Sequence, residues 1–515
     1  MIEEYRTEPF TDFKIPDNKE KFEEALRKVE SEFGKEYPLI IKGKKIFTED
    51  KLKSYNPSNK DEVVGIVSRA SVDELNFAIE TAYEAYKNWR FYPPEERALI
   101  LFKAAQLLRK RKFEHAALQV FEVGKNWNEA DADVAEAIDY LEYYGREMIR
   151  LSKEERLVSY PNEYNEYENI PLGVVAVIPP WNFPLAILVG MTTAALVTGN
   201  AVVLKPASDT PIIGYKFVEL MHEVGIPAGV LNYVPGSGSK IGDLLVTHPL
   251  TRMIAFTGSK EIGLRIFNLA SQVSPGQIWL KRVIAEMGGK DSMLIDDDAD
   301  LEDAANATIA AAFGFQGQKC SACSRIILVE SIYNKFIGIL KEKVNAIKVG
   351  PAKDNYFMGP VVSSSAEAKI LEYINIGKNE GRLLNGGEKA EGNGYFIKPT
   401  IFIDVDPSAR ISQEEIFGPV LAVIKAKDFD HGLEIVNNTE YGLTGSVYTK
   451  DRKKIMKAKK EFHCGNLYIN RKCTGALVGI HPFGGFNMSG TDSKAGGSDY
   501  LLLFTQGKLI SEKLS

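Results

Sequence analysis

Between residues 173 and 289, short β-branched runs alternate with helical patterns. The runs are GVVAVIPP (173–180), AVVLKP (201–206), LNYVPG (231–236), RMIAFTG (252–258) and VIAEMGG (283–289). Between them, residues 184–198, 211–224, 239–248 and 259–272 repeat apolar positions at helical spacing or are apolar throughout. Strands alternating with helices of this length predict a parallel sheet with crossover helices. Each run closes on Pro or Gly, and parallel sheets bind ligands at the carboxyl ends of their strands. Cofactor contacts are expected there.

The pattern elsewhere is less regular. The first 150 residues read as mostly helical, with EERALILFKAAQLLRKRK (95–112) and DADVAEAIDYLEYYGREMI (131–149) as the strongest stretches. Residues 155–170 are polar and Tyr-rich and read as an exposed hairpin. After Gly289 a second α/β alternation begins with SMLIDD, SRIILVE and the helical YNKFIGILKEKVNAI, and runs to about Asn470. The closing YLLLFTQGKLISEKLS reads as a terminal strand and tail. Residues 170–204 contain no charged side chain, a stretch long enough to suggest a membrane span. Pro171, Pro179, Pro180 and Pro184 break that reading, because each interrupts regular hydrogen bonding. A buried strand–turn–helix–strand is expected instead.

Composition narrows the class. The chain has 515 residues, 63 Lys and Arg against 69 Asp and Glu, and a net charge of −6. This length suggests about three domains, and mild acidity argues against nucleic acid or an anionic membrane as the main partner. The four cysteines are too few for a disulfide scaffold and fit a reducing compartment. MIEEYRTEPF has neither the apolar core of a signal peptide nor the bias of a transit peptide, so a cytoplasmic protein is expected.

Candidate chemistry follows from local context. Cys320, in GFQGQKCSACSR (314–325), has Lys319 beside it, and nearby positive charge lowers a thiol toward a reactive thiolate. A small buried cysteine is the bland alternative. Cys320 and Cys323 form a C-x-x-C, which also allows a redox pair. Zinc is disfavoured: a site needs four ligands, Cys464 and Cys473 have eight residues between them, and the six histidines are scattered. No metal is expected. Glu286, at the end of the fifth strand and followed by glycines at 288 and 289, is a candidate general base, or else a helix cap or surface charge. Asn182, in IPPWNFP (178–184), is a possible oxyanion donor or a turn residue. PGSGSKIG (235–242) and FTGSKEIG (256–263) are strand–Gly–helix junctions that could face a phosphate. Neither is a P-loop.

PWNFP, VVLKPA, FTGS, EMGGKD, GQKCSA, EEIFGPV and PFGGF occur in the order and spacing of the aldehyde dehydrogenase superfamily, which the whole chain resembles. GFQGQKCSACSR, KRVIAEMGGKD, NLYINRKCTGALVG and FGGFNMSGTDSKAGG are similar to the branch acting on L-glutamate γ-semialdehyde, the open form of 1-pyrroline-5-carboxylate, in proline catabolism. The resemblance implies an α/β fold: a Rossmann-like NAD domain (1–154 and 173–288), a catalytic domain (289–475) and a β oligomerisation arm (155–172 and 490–515). It implies a homodimer or larger assembly. It makes Cys320 the nucleophile, Asn182 an oxyanion donor and Glu286 the activator of water for thioester hydrolysis, after hydride transfer to NAD.

The resemblance also distributes the binding residues. Ile178, Pro179, Pro180, Trp181, Lys205, Ser208, Gly238, Gly242, Ser259, Glu415 and Phe417 would meet the cofactor. Many family members carry glutamate where this chain has Ser208; a carboxylate there would repel a 2′-phosphate and a serine would not, so NAD is expected with some NADP use. Ser321, Gly475 and Ala476 would grip the substrate carboxylate, with Phe183 and Phe483 flanking its chain. Gly484–Phe486 and Gly490 also match, and there backbone geometry is the favoured reading. Another ω-semialdehyde such as succinate semialdehyde, a non-catalytic binding protein and a Cys320–Cys323 thiol oxidoreductase remain alternatives.

Overall fold

The computed structural model of the protein describes residues 4–153 and 157–514. The expected boundaries at residues 1, 154, 155 and 515 fall outside the described residues.

All five runs between 173 and 289 form strands. In space their order is Arg282–Glu286, Thr251–Thr257, Val174–Ile178, Ala201–Leu204 and Leu231–Tyr233, all parallel. Their central residues are buried on both faces, which is why they read as near-continuous apolar runs. Helices Ala186–Val197, Pro211–Glu223, Asp243–Thr247 and Lys260–Ala270 connect them. The strand order reverses between Val174–Ile178 and Thr251–Thr257, and at such a switch point the diverging connections leave a crevice for a ligand. The uncharged stretch 170–204 supplies two of these strands and a helix of twelve residues. Among the described residues no helix is long and apolar enough to cross a membrane.

A second seven-stranded sheet holds Arg382–Asn385, Thr400–Ile403, Val420–Ala426, Arg325–Val329, Ser292–Ile295, Thr444–Tyr448 and Asn466–Ile469, in that spatial order. The chain passes from the first sheet to the second through residues 286–292, the EMGGKDS run. Buried Arg325 pins that crossing: Nε donates to the Lys290 carbonyl at 3.1 Å and Nη2 to the Val436 carbonyl at 3.1 Å.

Two expectations need correction. Residues 35–68 are not helical; they form Lys35–Tyr37, Leu39–Ile41, Lys44–Ile46, Lys51–Asn56 and Asn59–Ser68. Lys42 and Gly43 take positive φ, 55° and 72°, the backbone of a two-residue hairpin turn, and the lysines on these short edge strands disguise them. The expected hairpin at 155–170 is instead a single strand, Glu163–Pro171, paired antiparallel with Thr505–Lys513. Its partner arrives more than three hundred residues later, so local pattern could not supply it.

Candidate active site

Residues singled out in the sequence collect at the carboxyl ends of the first sheet's strands. Pro179–Trp181 follow Val174–Ile178, Lys205 follows Ala201–Leu204, Gly238 and Gly242 follow Leu231–Tyr233, Ser259 follows Thr251–Thr257, and Glu286 closes Arg282–Glu286.

Cys320 reaches this edge from the second sheet's side. Helix Leu301–Phe313 runs into a turn in which Phe315, Gln316 and Gly317 all have positive φ (50°, 57° and 67°). Gly317 is required there: a Cβ would lie 2.4 Å from the Gly418 carbonyl. Asn182 is buried and its Nδ2 donates to the Gln318 carbonyl at 3.1 Å, two residues before the cysteine. Gly289 packs against the same segment, since a Cβ on it would fall 2.6 Å from the Cys320 carbonyl.

The expected effect of Lys319 does not hold. Its ammonium is committed to Glu129 at 2.6 Å. Burial, with the carboxyl groups of Asp291, Glu415 and Glu286, pushes the Cys320 thiol up from its ordinary range. Cys323 is buried and its Sγ donates to the Arg325 carbonyl at 3.4 Å.

Glu286 is neither a helix cap nor a surface charge. Its carboxylate accepts from the Ser493 hydroxyl and, at 3.4 Å, from the Gly485 N–H. A Cβ at Gly484 would lie 3.1 Å, and one at Gly490 2.9 Å, from its oxygens, so both glycines leave room for the carboxylate. Lys494 Nζ holds this turn by donating to the carbonyls of Gly465 (2.6 Å) and Gly484 (2.8 Å). Burial raises Glu286 to about 7, against the lowering effect of the Ser493 hydrogen bond. A carboxyl group titrating near neutrality is suited to moving a proton in either direction. Sequence reading quoted Ser493 and Lys494 within FGGFNMSGTDSKAGG but gave them no role, because nothing in that polar run shows which carboxylate it faces.

A cavity of about 530 Å³ brings together Cys320, Ser321, Glu286, Gly475, Ala476, Phe183 and Phe483. Its far wall is helix Trp127–Leu151, which contributes Glu129, Asp131, Glu136 and Asp139. Behind Phe183 lies Lys125, fully buried, 3.6 Å from Asp133 and with its ammonium 4.3 Å from the ring centroid. Asp133 in turn accepts from the N–H groups of Leu185 and Ala186, each at 3.3 Å. This pair fixes the PWNFP turn from behind, and nothing in the local sequence signals it.

The cofactor candidates lie outside this cavity. Lys205 is buried and its Nζ has one long bond, 3.4 Å to the Pro206 carbonyl; desolvation lowers it to about 8. A buried donor so poorly satisfied fits a ligand hydroxyl. Glu415 accepts from the Gly289 N–H at 3.1 Å and packs on Gly288, where a Cβ would clash at 2.2 Å. Trp181 and Phe417 meet edge to face at 5.4 Å, Phe417 with φ 61°. Cβ atoms at Gly238 and Gly242 would meet open space. Ser259 is exposed and caps helix Lys260–Ala270 through its hydroxyl, 3.4 Å from the Ile262 N–H. Ser208 is exposed and does not line the cavity. Most of these positions follow the carboxyl ends of the first sheet's strands, where parallel sheets bind ligands.

Residues 46–510 match the aldehyde dehydrogenase family. A 1-pyrroline-5-carboxylate dehydrogenase from Geobacillus sp. (strain WCH70) is 59% identical over 513 residues, 99% of this chain and 100% of that one. A Thermus 1-pyrroline-5-carboxylate dehydrogenase with bound NAD superposes with a TM-score of 0.98 at 50% identity, over 99% of both chains. Proline utilization A from Bdellovibrio bacteriovorus superposes at 0.98 with 43% identity; the match covers 99% of this chain and 53% of that longer one.

Proposed function

Starting from the fact that this chain belongs to the aldehyde dehydrogenase family, we propose how its residues carry out the reaction. The protein is an NAD-dependent oxidoreductase that converts L-glutamate γ-semialdehyde, in equilibrium with 1-pyrroline-5-carboxylate, to L-glutamate, the second step of proline degradation.

The observation that carries the assignment of roles is one cavity holding a cysteine, a near-neutral carboxyl and a loop of backbone donors. Cys320 Sγ adds to the aldehyde carbon as its proton passes to a base. The Asn182 amide and the Cys320 N–H hold the oxyanion that forms. When bound, NAD supplies the hydride acceptor that allows a thioester on Cys320. Glu286, ionised, then takes a proton from water as it attacks the thioester, and glutamate leaves while the thiol is restored. Splitting the oxidation in two avoids a single high barrier.

Ser321, Gly475 and Ala476 are assigned to the substrate carboxylate, and Phe183 and Phe483 to its aliphatic chain. Lys205 and Glu415 are assigned to the cofactor's ribose groups, Trp181 and Phe417 to its nicotinamide side, and Gly238, Gly242 and Ser259 to its phosphate and adenine end. The exposed hydroxyl of Ser208 offers no charge against a 2′-phosphate, so measurable turnover with NADP is expected; NADP kcat/KM below detection refutes this. Residues 1–154 and 173–288 are read as the NAD domain, 289–475 as the catalytic domain and 155–172 with 490–515 as the arm. Pairing of Glu163–Pro171 with Thr505–Lys513 into an exposed ribbon supports a homodimer or larger assembly. Four free cysteines support the cytoplasm as its compartment.

NADH formation is measured with 1-pyrroline-5-carboxylate, succinate semialdehyde and hexanal. A strong preference for the first is expected. Activity with only the others refutes the substrate assignment, and no activity with any refutes the reaction.

A further inference from the structure

The segment before the family-matched region begins in earnest is tied across the mouth of the catalytic cavity. Phe10 and Thr11 line the cavity directly. Two carboxylates on helix Trp127–Leu151 grip this segment by its backbone. Asp139 Oδ1 accepts from the Glu8 N–H at 2.7 Å, and Asp131 accepts from the Thr11 N–H at 2.8 Å and its hydroxyl at 2.6 Å. Lys112 completes the hold, donating to the Pro9 carbonyl at 3.0 Å while paired with buried Asp131.

The same segment reaches the other wall. The Tyr5 hydroxyl donates to the Val478 carbonyl at 3.0 Å, and its ring meets Tyr143 edge to face at 5.1 Å. Gly479 has φ +75°, and a Cβ there would lie 2.9 Å from both tyrosine rings. Tyr5 is therefore packed on the loop whose earlier residues, Gly475 and Ala476, line the cavity together with Cys320. Contacts to three charged groups and one loop, all across more than a hundred residues of sequence, tie this segment to the fold more firmly than an exposed tail.

We propose that Tyr5–Thr11 is a strap that determines substrate specificity. It holds the 475–478 loop in position for the substrate carboxylate and closes the outer wall, so that short carboxylated aldehydes fit and longer apolar ones do not. The proposal rests on the functional reading above. Tyr5 is a positioning residue and Phe10 a size-determining one.

The test uses the full chain. Wild-type protein is first assayed with 1-pyrroline-5-carboxylate and decanal; absence of a preference refutes the functional reading and removes the strap's role with it. If the preference is present, Tyr5→Phe and Phe10→Ala address the strap alone. Tyr5→Phe keeps the ring and loses the bond to Val478. Its KM for 1-pyrroline-5-carboxylate should rise about three- to tenfold, the worth of one hydrogen bond, with kcat and the KM for NAD within about twofold of wild type. Phe10→Ala should raise kcat/KM for decanal, which is longer than the substrate, about fivefold or more. The proposal is overturned if both variants keep the ratio of kcat/KM for the two aldehydes within about twofold of wild type. It is equally overturned if they lower kcat for both aldehydes alike together with the Tm, which is a structural role only.

Discussion

The Cys320 thiol is pushed up by burial and by the carboxyl groups of Asp291, Glu415 and Glu286, whereas Glu286 titrates at about 7. The step that needs Glu286 ionised therefore gains rate as pH rises through 7 and loses about tenfold per unit well below it. Single-turnover thioester hydrolysis between pH 5 and 9 should show that limb. The Ser493 hydroxyl stabilises the ionised form, so Ser493→Ala should move the limb to higher pH; a shift downward refutes the cradle. Cys320→Ser should abolish NADH formation. Cys323→Ser should lose little, because that thiol faces the Arg325 carbonyl inside the fold. Asn182→Ala should lower kcat about 10²–10³-fold if its amide holds the oxyanion. Cys320, Glu286 and Asn182 were legible from the order of seven motifs rather than from their own neighbourhoods. Lys319 shows why: its sequence position beside the cysteine suggested activation, yet its charge is spent on Glu129, 190 positions away.

Among elements, the parallel strands were legible because burial on both faces leaves almost no polar residue in them. The short strands of 35–68 were not, because exposed edges admit lysines that mask the period. Helix Pro211–Glu223 shows a further limit. Its first turn lacks a capping side chain of its own. Glu122, from helix Lys112–Val123, supplies the acceptors instead, 2.7 Å from the Ile212 N–H and 3.0 Å from that of Ile213. Glu122→Ala should cost about 1–3 kcal/mol by leaving those donors unpaired, read as a lower urea midpoint. Burial also raises Glu122 from 4.5 to about 8. The folded state then holds the proton more tightly than the unfolded one, so this group's contribution to stability declines as pH rises from 4.5 toward 8. Glu122→Gln should flatten that part of the decline in the midpoint.

At the scale of the whole molecule, the nine-residue pairing of Glu163–Pro171 with Thr505–Lys513 should govern assembly. Light scattering should give a mass of at least twice 57.2 kDa, and removal of residues 505–515 should yield monomers; unchanged mass refutes the arm. The Glu286 cradle has a different consequence, one of timing. The Cys320 thiol is made long before the residues at 484–494 that hold the Glu286 carboxylate. At about 5–20 residues per second of synthesis, the ribosome carries a chain with its thiol but no seated carboxylate for roughly ten to thirty seconds. On the proposed roles of Cys320 and Glu286, a chain ended before residue 484 has no seated base to hydrolyse a thioester on Cys320, so activity should appear only once translation is nearly complete.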